Sequence, residues 1–281
     1  MIPATFNYEA PRTLSEALNL LASNEDAKLL AGGHSLLPAM KLRLAAPALL
    51  VDLGRIGGLR YIRGTQDGIV IGAMTTHAEV AASALLKADC PLLPQTAEHI
   101  GDVQVRNRGT LGGSLAHADP AADYPAAILA LDAELVAHST TGERVIAAKD
   151  FFTGLFSTAL GPGEIITEVR VPRTNGSGTA YKKFHHPASG FAVAGVAVVV
   201  RGTSAKLENA AVGITGVGPN AYRARKVEAA LRGKPASAIA EAAQKAADGV
   251  EPLSDNFASA EYRRHLAKVF TRRAIEEALG T

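Results

Sequence analysis

Two glycine pairs constrain this chain more than any other feature: Ala31-Gly32-Gly33-His34-Ser35 and Thr110-Leu111-Gly112-Gly113-Ser114. Successive backbone N–H groups in a glycine turn form a concave anion site, and the missing Cβ atoms let a phosphate come close. The flanking Ser and Thr hydroxyls add donors. Either stretch alone is more often a plain tight turn. A pair of them, with 80 positions between Gly32 and Gly112, can clamp one diphosphate from two sides. Neither motif ends in Gly-Lys-Ser/Thr, and no Gly-x-Gly-x-x-Gly opens a helix, so the P-loop and Rossmann solutions are excluded.

The surrounding pattern places the first motif at a strand end. Thr13-Leu14-Ser15-Glu16 fits a capping box opening a helix to about Ser23, and Ala27–Ala31 reads as a strand running into the glycines. A short helix within Leu36–Leu44 and a strand over Ala48–Leu53 complete the unit. Leu59–Ile62 and Gly68–Met74 read as paired strands, and Thr76–Glu79 as a second capping box opening a helix to about Ala88. A helix over Leu93–Ile100 leads to a polar-to-glycine loop, Val105–Ser114. Pro125–Leu131 is expected as helix, Glu134–His138 and Glu143–Ile146 as a hairpin, and Glu164–Val171 as a strand. Asn175–Gly178 is small and polar, the composition of a linker. Beyond it, strands over Thr179–Phe184, Phe191–Arg201 and Leu207–Gly216 precede helices over Tyr222–Leu231, Ala236–Ala247 and Ala260–Leu279. Three strands and then helices make an α+β domain.

Composition narrows the function classes. The 29 basic and 27 acidic residues of the 281 leave a net charge of +2 with no basic block, against nucleic-acid binding. The apolar run Phe191–Val200 is too short for a membrane span, which needs roughly 20 residues. Met1–Pro11 lacks the pattern of an export signal, so a cytoplasmic location is expected. Cys90 stands alone, so the chain forms no internal disulfide and cannot ligate an iron–sulfur cluster through four thiolates.

The stretches Leu29–Pro38 and Arg108–Asp123 resemble the two flavin loops of the FAD-binding middle subunits of molybdenum hydroxylases. That family includes the medium chain of carbon monoxide dehydrogenase and the flavin domain of xanthine dehydrogenase. The likeness continues through Gly163–Ile166 and Phe184–Phe191. It implies an α+β fold: a two-subdomain FAD-binding region (1–175, divided near 57) followed by a smaller α+β C-terminal domain (179–281). It implies that Ala31, Gly32, Gly33, His34, Ser35 and Leu36 meet the pyrophosphate and ribityl chain of FAD. Thr110, Gly112, Gly113 and Ser114 would complete the clamp, with Asp123 on the ribityl or ribose region. His117, Ile166 and Lys182 are further flavin-contacting positions by the same resemblance. It also implies an electron-transfer subunit in a dimer of heterotrimers. A small partner would carry the [2Fe-2S] clusters and a large partner the molybdenum cofactor. Many members have Asn where Ser114 stands, and carbon monoxide members have Tyr near the position of Phe191, so the substrate is left open.

No residue set suggests a nucleophile, an acid–base dyad or a metal site. His34 and His117 lack further ligands. Asp119 and Asp123 flank Pro120 in a loop, and Cys90 reads as packing. Arg106 and Arg108 are candidates to offset phosphate charge, against the default of surface arginines. His185-His186 reads as a strand edge, a subunit contact or part of an acceptor site. Two other functions remain consistent with the residues. One is a self-sufficient flavoprotein oxidase or reductase; the other is a non-catalytic nucleotide-binding module.

Overall fold

The computed structural model describes residues 2–281. Its first unit runs β1 (Asn7–Glu9), α1 (Leu14–Ser23), β2 (Ala27–Leu30), α2 (Leu36–Lys41) and β3 (Leu49–Asp52). The capping box forms: the Thr13 hydroxyl accepts from the Glu16 amide at 3.2 Å, and the Glu16 carboxylate accepts from the Thr13 amide at 3.3 Å. The three strands are parallel in the order β1-β3-β2. β1 is absent from the sequence reading because its three residues are all exposed and show no alternation. Ala17, Leu18, Ala27, Leu49 and Val51 form the small core beneath α1.

The second unit begins with β4 (Ile62–Gly64) and β5 (Ile69–Gly72). Six short helices follow: α3 (His77–Ala82), α4 (Ala84–Asp89), α5 (Leu92–Glu98), α6 (Val103–Arg106), α7 (Leu111–His117) and α8 (Tyr124–Ala130). Then come β6 (Glu134–Ser139), β7 (Gly142–Ala147), α9 (Ala148–Phe151), β8 (Phe152–Gly154), β9 (Ser157–Thr158) and β10 (Ile165–Val171). β10 inserts between β5 and β6, giving an antiparallel sheet of order β4-β5-β10-β6-β7. The helix expected from Thr76 to about Ala88 is two helices. Ser83 adopts an extended conformation and its hydroxyl accepts from the Leu86 amide at 3.3 Å, ending α3 and capping α4. The expected loop Val105–Ser114 is also largely helical, since Thr110 is the N-cap of α7 and both glycines lie in its first turn.

The third unit is the antiparallel sheet β11 (Gly178–His185), β12 (Ala192–Thr203), β13 (Lys206–Thr215) and β14 (Tyr222–Arg223). It is followed by α10 (Arg225–Leu231), α11 (Ile239–Ala243) and α12 (Ala260–Leu279). Tyr222 and Arg223 pair with Ile214 and Gly213, so the helix expected from Tyr222 starts only at Arg225. Ala236–Ala247 is likewise a 3-10 turn and a short helix rather than one helix. The stretch expected as a linker makes the turn into β11. This sheet is covered on both faces, by α5 and α8 of the second unit and by α10–α12. Tyr181 and Ala197 join the second unit's core, whereas Ala180, Val196 and Val198 join Ala267, Phe270 and Ala274 of α12. Burial on both faces is why β12 reads as a continuous apolar run.

Candidate functional site

The first glycine motif sits at the carboxyl end of β2, where ligands collect in parallel α/β units. Gly33 takes φ +77°, open to glycine at little cost. Gly32 is pressed against the second motif: a methyl there would lie 2.7 Å from the Gly109 Cα and closer still to the Arg108 carbonyl oxygen. The Gly33 and Ser35 carbonyls turn into α2, accepting from Leu37 and Ala39, each at 3.1 Å. Among the described residues, none of the amides of Gly32, Gly33, His34, Ser35 and Leu36 donates to a protein acceptor. All five residues are half-buried or exposed. His34 Nδ1 lies 3.1 Å from the Gly32 carbonyl, and a proton on it braces the turn.

The second motif does the opposite. The Leu111 amide donates to Thr75 O at 3.0 Å, Gly112 to Ala73 O at 2.8 Å, and Gly113 to the Thr110 hydroxyl at 3.2 Å. Ser114 donates to Thr110 O at 3.0 Å. A second amide nest, expected from the sequence, is therefore not formed. The glycines serve close packing: a methyl on Gly112 would lie 2.9 Å from the Ala73 oxygen, and one on Gly113 would lie 3.3 Å from the Ala31 Cβ. The motifs thus abut, with a spent surface beside an open one. The hydroxyls of Ser35 and Ser114 have no protein partner among the described residues. His117, one turn beyond Ser114 on α7, is exposed, with its ring 5.2 Å from that of Phe156.

Three expected contact residues lie elsewhere. Asp123 is buried between the second unit and the C-terminal sheet; it accepts from the Tyr181 hydroxyl at 2.5 Å and from Lys183 Nζ at 3.0 Å. Burial raises its pKa, and the Lys183 charge and the two hydrogen bonds oppose the rise. Ile166 is buried in the core of the second unit. Lys182 points away, pairing with Glu277 on α12. Strand alternation puts Ala180, Lys182 and Phe184 on the α12 face, and Tyr181 and Lys183 on the face toward α5 and α8. Lys183, missed in the sequence, also donates to the His99 carbonyl at 2.9 Å. The apolar Phe184, two residues on from Lys182, was the available signal.

Phe191 is 44% exposed, and the next amide, Ala192, donates to Ala121 O at 3.1 Å, so Phe191 neighbours the segment leaving α7. Arg106 is occupied by the Ile100 and Gly101 carbonyls at 3.0 and 2.9 Å, whereas Arg108 is exposed without such bonds. A cavity of about 520 Å³ between Leu14, Ile56 and the outer sheet face contains no motif residue. Among the described residues there is no cluster of three or more metal-ligating side chains, and no helix long and apolar enough to cross a membrane.

Residues 4–174 match the family described as the FAD binding domain in molybdopterin dehydrogenase, and residues 179–278 the CO dehydrogenase flavoprotein C-terminal domain. The chain belongs to this flavoprotein family. It is 42% identical to the carbon monoxide dehydrogenase medium chain of Hydrogenophaga pseudoflava, covering 99% of this chain and 98% of that one. It is 36% identical to the glyceraldehyde dehydrogenase medium chain of Sulfolobus acidocaldarius, covering 99% of each. Its fold superposes on a chain of the Hydrogenophaga pseudoflava carbon monoxide dehydrogenase crystal structure with a TM-score of 0.97 at 43% identity, covering 100% and 99%. The chain is therefore an FAD-binding medium subunit of an oxidoreductase of the molybdenum hydroxylase family. The family does not fix the substrate, since the two relatives are named for different ones. The residues present fit the cofactor: a diphosphate needs free donors at an accessible turn, and Gly32–Leu36 offers five amides without a protein acceptor in half-buried or exposed residues.

Proposed function

We propose that this subunit holds FAD by its pyrophosphate on the amides of Gly32–Leu36. Through that FAD, electrons pass from iron–sulfur clusters of a small partner subunit to an external acceptor. Substrate oxidation would take place at a molybdenum centre on a large partner subunit, in a cytoplasmic dimer of heterotrimers. The observation that carries this reading is the run of five consecutive uncommitted amides beside the Thr110–Ser114 helix start.

FAD supplies one-electron uptake and two-electron release; the protein's part is binding, orientation and access. The open amides would hold the diphosphate, with the Ser35 and Ser114 hydroxyls as flanking donors and Arg108 as the nearby uncommitted cation. Thr110, Gly112 and Gly113 act by holding α7 against Ala31, so that the nest has a firm wall. His117 and Phe191, both exposed, would be available to the flavin ring. Asp123, together with Lys183 and with Ile166 in the core beneath, fixes the segment after α7 from behind.

The test is native purification of the complex followed by flavin, molybdenum and iron analysis. About one FAD per copy of this chain, with molybdenum and a cysteine-rich companion, is expected. A well-folded complex without flavin absorbance would sink the proposal, and a solitary yellow protein turning over its own organic substrate would replace it.

A further inference from the structure

Beneath the junction of the two motifs lies a three-layer contact that the cofactor reading leaves unused. Gly32 rests on the Arg108–Gly109 peptide, and Gly109 rests on an imidazole: a methyl on Gly109 would lie 2.7 Å from His77 Cδ2 and closer still to Nε2. His77 opens α3, and its amide donates to the Gly109 carbonyl at 3.0 Å. Its ring packs edge-on against Tyr124, centroids 5.3 Å apart, at 5% exposure. Among the described residues, neither His77 Nδ1 nor the Tyr124 hydroxyl has a hydrogen-bond partner.

We infer that His77 and Gly109 are positioning residues for the cofactor site: the imidazole backs Gly109, whose bare Cα is the seat of the Gly32–Leu36 loop. Burial, with His34 and Arg106 adding to it, lowers the His77 pKa to about 4 and keeps the imidazole uncharged near neutral pH. The group behind the seat is therefore neutral. This inference rests on the FAD reading above.

The test is flavin-fluorescence titration of the full chain stripped of cofactor, with circular dichroism and thermal unfolding as the control for folding. Gly109→Ala should weaken FAD binding by roughly ten- to a hundredfold, the scale of an overpacked contact. Adding His77→Ala removes the atoms that the new methyl strikes, so the double variant should return to the level of His77→Ala alone. Gly32→Ala should not be recovered in this way, because its obstacle is the Arg108 carbonyl of the backbone. Should Gly109→Ala fail to fold, His77→Ala alone remains informative, with weaker FAD binding expected at an unchanged circular dichroism spectrum. Wild-type affinity in Gly109→Ala or in His77→Ala, or no recovery in the double variant, overturns the inference. A wild-type chain that takes up no FAD overturns the functional reading instead.

Discussion

Gly32–Leu36 and Thr110–Ser114 are built from nearly the same residues, yet the first leaves its amides without protein acceptors and the second bonds those of Leu111–Ser114 within the protein. The difference comes from what precedes each motif. The first follows a parallel strand and must reverse through Gly33, at φ +77°, before α2 can begin. The second follows an isolated bridge between Thr76 and Thr110, and partners from Ala73 to Thr110 take its amides one after another. A glycine pair can thus display donors or permit close backbone approach. The bonds of the neighbouring segment decide which.

The sharpest way to break this comparison is Gly32→Val. A branched side chain cannot pass the Arg108 carbonyl, so the loop must leave its seat, and flavin should be absent from the purified chain by absorbance. Retention of flavin would mean that the first motif is not the anion site. Next in size is Lys183→Met, which leaves the Asp123 carboxylate buried without its cation. Denaturant unfolding should show a loss of about 3–5 kcal/mol. Lys182→Met removes only the half-exposed pair with Glu277 and should cost no more than about 1 kcal/mol. Equal losses would show that strand alternation does not separate the two lysines.

Much of the architecture was legible. The capping box at Thr13–Glu16, the strand into the first motif, the strand over Glu164–Val171 and the long α12 follow from local signals, whereas the place of β10 between β5 and β6 does not. What failed needed non-local knowledge. Ser83 looks like an ordinary helix residue until its hydroxyl is seen capping α4. Thr110-Leu111-Gly112-Gly113 reads as a loop because glycine costs about 1 kcal/mol in a helix, and only the contact of Gly112 with Ala73 explains why a helix tolerates it. Lys182 and Lys183 differ by one register step, which no adjacent residue except Phe184 discloses. His77 lies in the Thr76–Glu79 capping box and Gly109 in the second flavin-loop stretch, but neither signal discloses that the two residues meet.

The seat beneath the motifs predicts a smaller, pH-dependent effect. Burial lowers the His77 pKa from 6.5 to about 4, with His34 and Arg106 contributing. Between those values the unfolded chain binds more protons than the folded one, so stability falls as pH drops from 6.5 toward 4 and is fully present above 6.5. The contribution is about 3 kcal/mol. Unfolding free energies of wild type and His77→Gln measured across this range should converge on acidification. Parallel curves would show that the imidazole is not held neutral.

The smallest effect probes the second motif directly. Thr110→Ala removes the hydroxyl that caps α7 and releases the Gly113 amide, which should cost about 1 kcal/mol of stability. Thr110→Ser keeps the cap and should restore most of it. If the second motif serves only as a wall, FAD affinity in Thr110→Ala should change little, because the donors lie on the first loop. If instead the Thr110 hydroxyl itself met the phosphate, affinity would fall while stability followed the cap alone, and Thr110→Ser would rescue both. Measuring the affinity and the unfolding midpoint on the same preparations separates a cap that shapes the site from a donor that occupies it.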